Sequence, residues 1–163
     1  MKKIIVFSDS HRNTKNMIFG ILAENPDLLI HCGDGDTDLR TVASRFPGLE
    51  IKNVRGNCDR YSSAPLTEKF VYGGKRFFVV HGHNHCVKQD TPSHALTAAA
   101  LEKNADIVLY GHTHVPYIDE GFGFMAMNPG TCKSCPSPSY GVITIDGNSV
   151  LMRIEKINAA PES

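Results

Sequence analysis

The chain has 163 residues, with 17 lysines and arginines against 17 aspartates and glutamates, so its formal net charge is zero. That length suits one domain with a single sizeable core, and the balanced, unclustered charge argues against a nucleic-acid or membrane-surface partner. Strand-like residues begin directly after Met1-Lys2-Lys3 and no run of about eighteen apolar residues occurs, so a cytoplasmic protein with no signal peptide or membrane span is expected.

In chain order, residues 4–7 read as a strand. Residues 13–25 read as a helix, with Met17, Ile18, Ile21 and Leu22 at helical spacing and Asn25-Pro26 as its stop. Residues 28–30 form a second strand. A second helix over 37–46 carries Leu39, Val42, Ala43 and Phe46 on one face and ends at Pro47-Gly48. With a third strand at 51–54, this β-α-β-α-β order predicts right-handed crossovers and a parallel core sheet. Residues 68–72 and 76–80 flank Gly73-Gly74-Lys75, a hairpin signal. Residues 93–104 predict a helix with Ser93 as its N-cap. Further strands are expected at 107–110, 117–119, 122–127 and 141–145. A last one at 149–157 alternates as an outer strand with one wet face would. Residues 158–163 read as a frayed tail. The whole is an α/β chain: two mixed sheets packed face to face, helices outside, in one domain over 1–157.

Five of these strands end in residues able to bind metals: Ser8-Asp9-Ser10-His11, His31-Cys32-Gly33-Asp34, Gly56-Asn57-Cys58-Asp59, His81-Gly82-His83 and Gly111-His112-Thr113-His114. Ligand sites in open α/β sheets lie beyond the carboxyl ends of strands, so these side chains are expected to converge. Each piece alone has an ordinary reading as a turn. Two His-x-His pairs directly after apolar strands do not read as packing, and a metal role is expected for His112, His114 and His81. Asp36 and Asp38 fit the first turn of a helix better than a ligand shell. His83, His85 and His94 stay open between a site role and simple exposure. Five cysteines at irregular spacing give neither a disulfide framework nor a zinc knuckle. Cys132-x-x-Cys135, followed by Pro136 and Pro138, reads as a loop of free thiols.

The ordered set Asp9-x-His11, Gly33-Asp34, Gly56-Asn57, His81-Gly-His83 and Gly111-His112-Thr-His114 resembles the calcineurin-like metallophosphoesterases, in particular their small single-domain bacterial and archaeal phosphodiesterases. Asn128-Pro129-Gly130-Thr131 resembles the Asn-Pro-Gly-Ser turn of that branch. The resemblance implies a four-layer α-β-β-α sandwich. It implies one metal on Asp9, His11 and His114, a second on Asn57, His81 and His112, and Asp34 bridging them. Two departures stand out: Thr37 replaces a frequent aspartate, and Cys58 replaces the histidine that protein phosphatases use toward the leaving group. Cys58 and His83 are therefore both candidates for the general acid, and Arg12 and Arg55 for substrate phosphate contacts.

The implied function is metal-dependent hydrolysis of phosphate esters, phosphodiesters foremost, with hydroxide on a pair of dications as nucleophile. Manganese is the favoured ion, and iron, cobalt, nickel or zinc suit the same mixed donors. A small phosphate ester is the expected partner, and a homo-oligomer is compatible with the resemblance. A monoesterase or protein phosphatase with the same site, and a protein-binding scaffold of the same fold, are the rival readings.

Overall fold

The computed structural model describes residues 1–89 and 93–158. Its elements are β1 (Lys2–Phe7), α1 (Thr14–Glu24), β2 (Leu28–His31), α2 (Asp36–Arg45), β3 (Glu50–Asn53), β4 (Thr67–Tyr72) and β5 (Lys75–Val80). They continue with α3 (His94–Glu102), β6 (Ile107–Leu109), β7 (Tyr117–Asp119), β8 (Met125–Asn128), β9 (Ser139–Asp146) and β10 (Ser149–Lys156).

Two five-stranded mixed sheets form, ordered β10-β9-β1-β2-β3 and β4-β5-β6-β8-β7. Strand periodicity decides which layer each side chain enters. Ile4 and Val6 of β1, Leu28 and Ile30 of β2, Phe77 and Val79 of β5 and Ile107 and Leu109 of β6 meet between the sheets. Their neighbours Ile5, Phe7 and Leu29 turn outward onto Met17, Ile21, Leu39 and Val42 of α1 and α2. Phe78, Val80 and Val108 turn the other way, onto Leu96 and Ala100 of α3. The result is the α-β-β-α sandwich, with strands buried on both faces reading as unbroken apolar runs. Each fully buried Leu, Ile or Phe side chain in these layers contributes about 1.5–3 kcal/mol relative to exposure.

Local chemistry sets the helix ends. Asn13 Oδ1 accepts from the Asn16 amide at 3.1 Å and Ser93 Oγ accepts from the Leu96 amide at 3.1 Å, each an N-cap. Asn25 closes α1 in the left-handed region at φ 47°, immediately before Pro26. Asp36 and Asp38 lie in the first turn of α2, as expected. Tyr72 pairs with Lys75, leaving a two-residue hairpin turn of Gly73 and Gly74, both at positive φ.

The strand expected over 122–127 begins only at Met125. The Gly121 amide donates to Asp119 Oδ1 at 2.6 Å and Gly123 has φ 85°, so a turn occupies the start of that run. β10 lies at a sheet edge, with Val150, Met152 and Ile154 packed inward and Leu151 exposed. Of the expected tail, residues 159–163 lie outside the described residues.

Register aligns the loops that matter. β1, β2 and β3 run parallel, with Phe7 opposite His31 and His31 opposite Asn53, so their following loops leave one edge at one level. β5 and β6 do the same in the second sheet, with Val79 opposite Leu109.

Candidate metal centre

The five loops do converge. Ligand-capable atoms of Asp9, His11 and His114 lie within 4.8 Å of one another, and so do those of Asp34, His81 and His112. The Asp9 carboxylate is fully buried. Its Oδ2 accepts from Ser8 Oγ and from the His112 amide, whereas Oδ1 makes no hydrogen bond among the described residues. Around Oδ1 stand the Nε2 atoms of His114 at 3.2 Å, His11 at 3.7 Å and His81 at 3.8 Å. Asp34 Oδ2 lies 3.2 Å from His81 Nε2 and 3.8 Å from His11 Nε2, between the two groups. Its other oxygen accepts from the Cys58 amide at 2.8 Å, which fixes the carboxylate plane.

Hydrogen bonding also sets the aim of His81. Its Nδ1 donates to the Cys32 carbonyl at 2.7 Å, a bond that crosses from one sheet to the other. In the neutral ring Nε2 then carries a lone pair, yet it faces Asp34 Oδ2 and, at 3.1 Å, His112 Nδ1. Acceptors aimed at acceptors require a cation or a proton between them. A buried carboxylate oxygen without a hydrogen bond makes the same demand.

The electrostatics agree. Burial pushes the Asp9 carboxyl up, but the imidazoles of His11, His114 and His81 outweigh it and hold the group well below the usual carboxylate range. Burial likewise acts upward on Asp34, and His81 brings it down on balance. Contact with Asp9 raises His11, and Asp34 and Asp9 raise His81 against its burial. Burial lowers His83 and His112, each with the charge of His81 as a further cause. The carboxylate pair attracts positive charge, and nitrogen and oxygen donors in this mixture suit borderline divalent metals.

Backbone strain accompanies this geometry. Asp9, His11, Asp34, His112 and His114 all have φ between 39° and 69°, the left-handed region that costs a non-glycine residue about 1–3 kcal/mol. Contacts between loops hold them there. Thr131 Oγ1 donates to the Asp9 carbonyl at 2.7 Å, and Asn128 Nδ2 donates to the Gly111 carbonyl at 3.1 Å and to Thr113 Oγ1 at 2.9 Å. The Asn-Pro-Gly-Thr turn thereby ties the loop after β1 to the loop after β6. Asp59 clamps the neighbouring pair, accepting from the amides of Asp34 at 2.8 Å, Gly56 at 2.9 Å and Asp36 at 3.2 Å.

The remaining candidates spread around this centre. Asn57 is exposed beside it, its amide directed at Cys58 Sγ at 3.6 Å. Sequence reasoning kept sulfur out of the ligand set, but Cys58 Sγ comes within 4.8 Å of the ligand atoms of His11 and Asp34. Burial and the nearby Asp34 charge push its thiol up, so it keeps its proton. His83 stands beside the second group, its ring 5.5 Å from that of His81 and 6.3 Å from that of His112. Arg12 lines an open cleft of about 440 Å³ beside His11 and Asp34. Arg55 sends its guanidinium to the Ser62 carbonyl at 3.5 Å. His85 packs edge-on to Phe78, and His94 opens α3. All five cysteines are free, with Cys32 and Cys132 buried. Ser8, Ser10, His31, Asp38 and Asp59, which shape the loops, were not singled out as site residues from the sequence.

Comparison with known proteins gives the family and the fold. Residues 1–148 match the model of the calcineurin-like phosphoesterase superfamily domain. The chain is 28% identical over 156 residues to the probable metallophosphoesterase YsnB of Bacillus subtilis, covering 92% of this chain and 88% of that protein. A predicted phosphoesterase from Streptococcus pneumoniae superposes with a TM-score of 0.78 at 27% identity, over 95% of this chain and 89% of the other. The fold is also that of Vps29 from Entamoeba histolytica, solved in complex with zinc, with a TM-score of 0.75 at 20% identity over 95% and 98% of the two chains. The chain belongs to the calcineurin-like phosphoesterase superfamily.

Proposed function

We propose that this chain is a phosphodiesterase working with two divalent cations, manganese foremost. One is held by Asp9, His11 and His114, the other by Asn57, His81 and His112, with Asp34 between them. The observation that carries this reading is the pair of carboxylate oxygens, Asp9 Oδ1 and Asp34 Oδ2, ringed by imidazole nitrogens at 3.2–3.8 Å. Bound there, divalent cations supply Lewis acidity that generates a water-derived nucleophile, aligns the phosphoryl oxygens and offsets transition-state charge.

The chain's own groups do the rest. Asp34 is braced by the Cys58 amide and keeps one oxygen turned to the cluster. His81 is fixed by the Cys32 carbonyl with Nε2 inward. Cys58 lines the cleft beside Asp34 and is suited to hand a proton to the leaving oxygen. His83, near His81 and His112, is the competing donor. Arg12 lines the approach and suits the substrate phosphate, while Arg55 acts through the turn that it braces at Ser62. One domain spanning 1–157 carries all of these parts.

The test is hydrolysis of bis(p-nitrophenyl) phosphate with added Mn²⁺, alongside its monoester and a chelator control. Metal-dependent turnover that favours the diester and is lost in His112→Ala supports the reading. A strong monoester preference would replace it by a phosphomonoesterase. The similarity to Vps29 favours a protein-binding scaffold as the second reading, and wild type as inert as His112→Ala would support that one.

A further inference from the structure

Beside the metal centre, an open cleft of about 440 Å³ runs from His11, Asp34 and Cys58 toward the start of α2 and the 58–62 turn. That volume is the size of a small-molecule site. Three arginines line it: Arg12, Arg40 and Arg60. Among the described residues none of them pairs with a carboxylate. The cleft's own aspartates are already engaged. Asp59 accepts from three backbone amides, Asp38 accepts from Ser10 Oγ at 2.6 Å and the Arg12 amide at 3.0 Å, and Asp36 accepts from Asn53 Nδ2 at 3.3 Å. These carboxylates keep their charge, but their oxygens are turned to amides and hydroxyls, and that of Asp34 to the metal centre, so the three guanidinium groups are the lining's unpaired charged donors.

Tyr61 also lines the cleft and is 99% exposed. An aromatic ring this bare gains nothing for folding. It is nevertheless held on a fixed support. The Asp59 amide bonds the Gly56 carbonyl and the Ser62 amide bonds the Asp59 carbonyl, each at 3.2 Å, and Arg55 braces Ser62 from below. A bare ring on a pinned turn, flanked by free guanidinium groups, is the combination that stacks a base and clamps phosphate oxygens.

We propose that this cleft seats the nucleoside side of the substrate, so that the esters cleaved are of nucleotide type. The base stacks on Tyr61, and a phosphate beyond the scissile one pairs with Arg40 and Arg60. This rests on the phosphoesterase reading above. The occupant is of nucleotide size and not a long nucleic acid, because a polymer needs a continuous basic track and this chain is neutral overall.

Binding of α,β-methylene-ADP and of inorganic pyrophosphate is measured by calorimetry, with and without Mn²⁺, in wild type, Tyr61→Ala, Tyr61→Phe and the Arg40→Ala/Arg60→Ala double variant. The nucleotide analogue is expected to bind about tenfold tighter than pyrophosphate, as loss or gain of one stacked base implies. Tyr61→Ala should erase that preference and Tyr61→Phe keep it, while the double arginine variant weakens both ligands. In parallel, the ratio of kcat/KM for thymidine 5′-(p-nitrophenyl phosphate) over methyl p-nitrophenyl phosphate should fall about tenfold in Tyr61→Ala. Equal affinity for both ligands, or a preference and a ratio untouched by Tyr61→Ala, overturns the assignment even while methyl p-nitrophenyl phosphate is hydrolysed. A surviving Tyr61-dependent preference in a protein that hydrolyses neither ester would uphold the cleft and defeat the phosphoesterase reading instead.

Discussion

His31 Nε2 lies 3.0 Å from Ser10 Oγ, and both side chains are fully buried. The directions of the bonds follow from their partners. The Gly33 amide donates to His31 Nδ1 at 3.1 Å, so the ring proton sits on Nε2 and is given to Ser10. Ser10 Oγ in turn donates a hydrogen bond to Asp38 Oδ2 at 2.6 Å. Burial lowers His31 and keeps it neutral, consistent with that tautomer. The relay fastens the Asp9–His11 loop to the Gly33–Asp34 loop and to α2. Ser10→Ala strands the His31 donor and one Asp38 acceptor, and should cost about 1–3 kcal/mol of stability. It should also weaken Mn²⁺ binding by about tenfold, because the ligand loop loses its support. Urea unfolding and a metal titration check the two effects separately. An unaltered metal affinity would confine the relay to a folding role.

Asp34 offers a sharper test of the centre. Asparagine at this position keeps an oxygen for the Cys58 amide, so the loop retains its 2.8 Å bond and the fold should persist. What is lost is the negative charge between His81 and His11. Asp34→Asn should therefore melt close to wild type, bind substantially less metal and lose most diester turnover. Metal content by mass spectrometry together with a thermal melt distinguishes this from misfolding. A variant that keeps two equivalents of metal would remove Asp34 from the bridging position.

Gly56 is required by space. A Cβ built there would lie 2.1 Å from Asp34 Oδ1 and 2.6 Å from the Asp34 amide nitrogen, and backbone cannot yield to it. Gly56→Ala should cost about 1–3 kcal/mol through forced backbone displacement. It should impair metal binding by moving Asp34, although residue 56 offers no ligand. Gly48→Ala meets nothing within 4 Å and serves as the control. Equal behaviour of the two variants would contradict the close packing of the loops.

The strands, and the meeting of Asp9, His11, Asp34, His81, His112 and His114 beyond their ends, were legible because both follow from local signals. An apolar run predicts a buried strand, and parallel strands of matched register bring whatever follows them to one edge. The supporting contacts were not legible, since they join residues far apart in the chain. Thr131 and Asp9 are separated by 122 positions, and Ser10 and Asp38 by 28. A serine or threonine gives no sign in sequence of the carbonyl or carboxylate it will meet. The approach of Cys58 to His11 and Asp34 is equally tertiary, as is the cleft around Tyr61. The late start of β8 reflects a different limit: Phe122 and Phe124 look like strand residues, but Gly121 and Gly123 between them favour the turn that Asp119 completes.

Acid stability should carry the mark of Asp106, at the entrance to β6. Arg76 donates to it through Nε at 3.0 Å, Nη2 at 2.9 Å and its backbone amide at 2.8 Å. The Arg76 guanidinium, joined by that amide, pulls the Asp106 carboxyl from its ordinary 3.8 to about 2. A value depressed in the folded state means that the unfolded chain binds more protons between the two. The contribution is thus complete above the unfolded value and is lost as pH falls toward about 2. The pair is largely exposed, and solvent screening keeps its contribution small. Asp106→Asn should lower the melting temperature slightly at neutral pH, and the gap to wild type should close as the pH is brought down through the acid range. Melting curves of both proteins across that range test it. A gap that stays constant with pH would show that the hydrogen bonds, and not the charge, fasten β5 to β6 there.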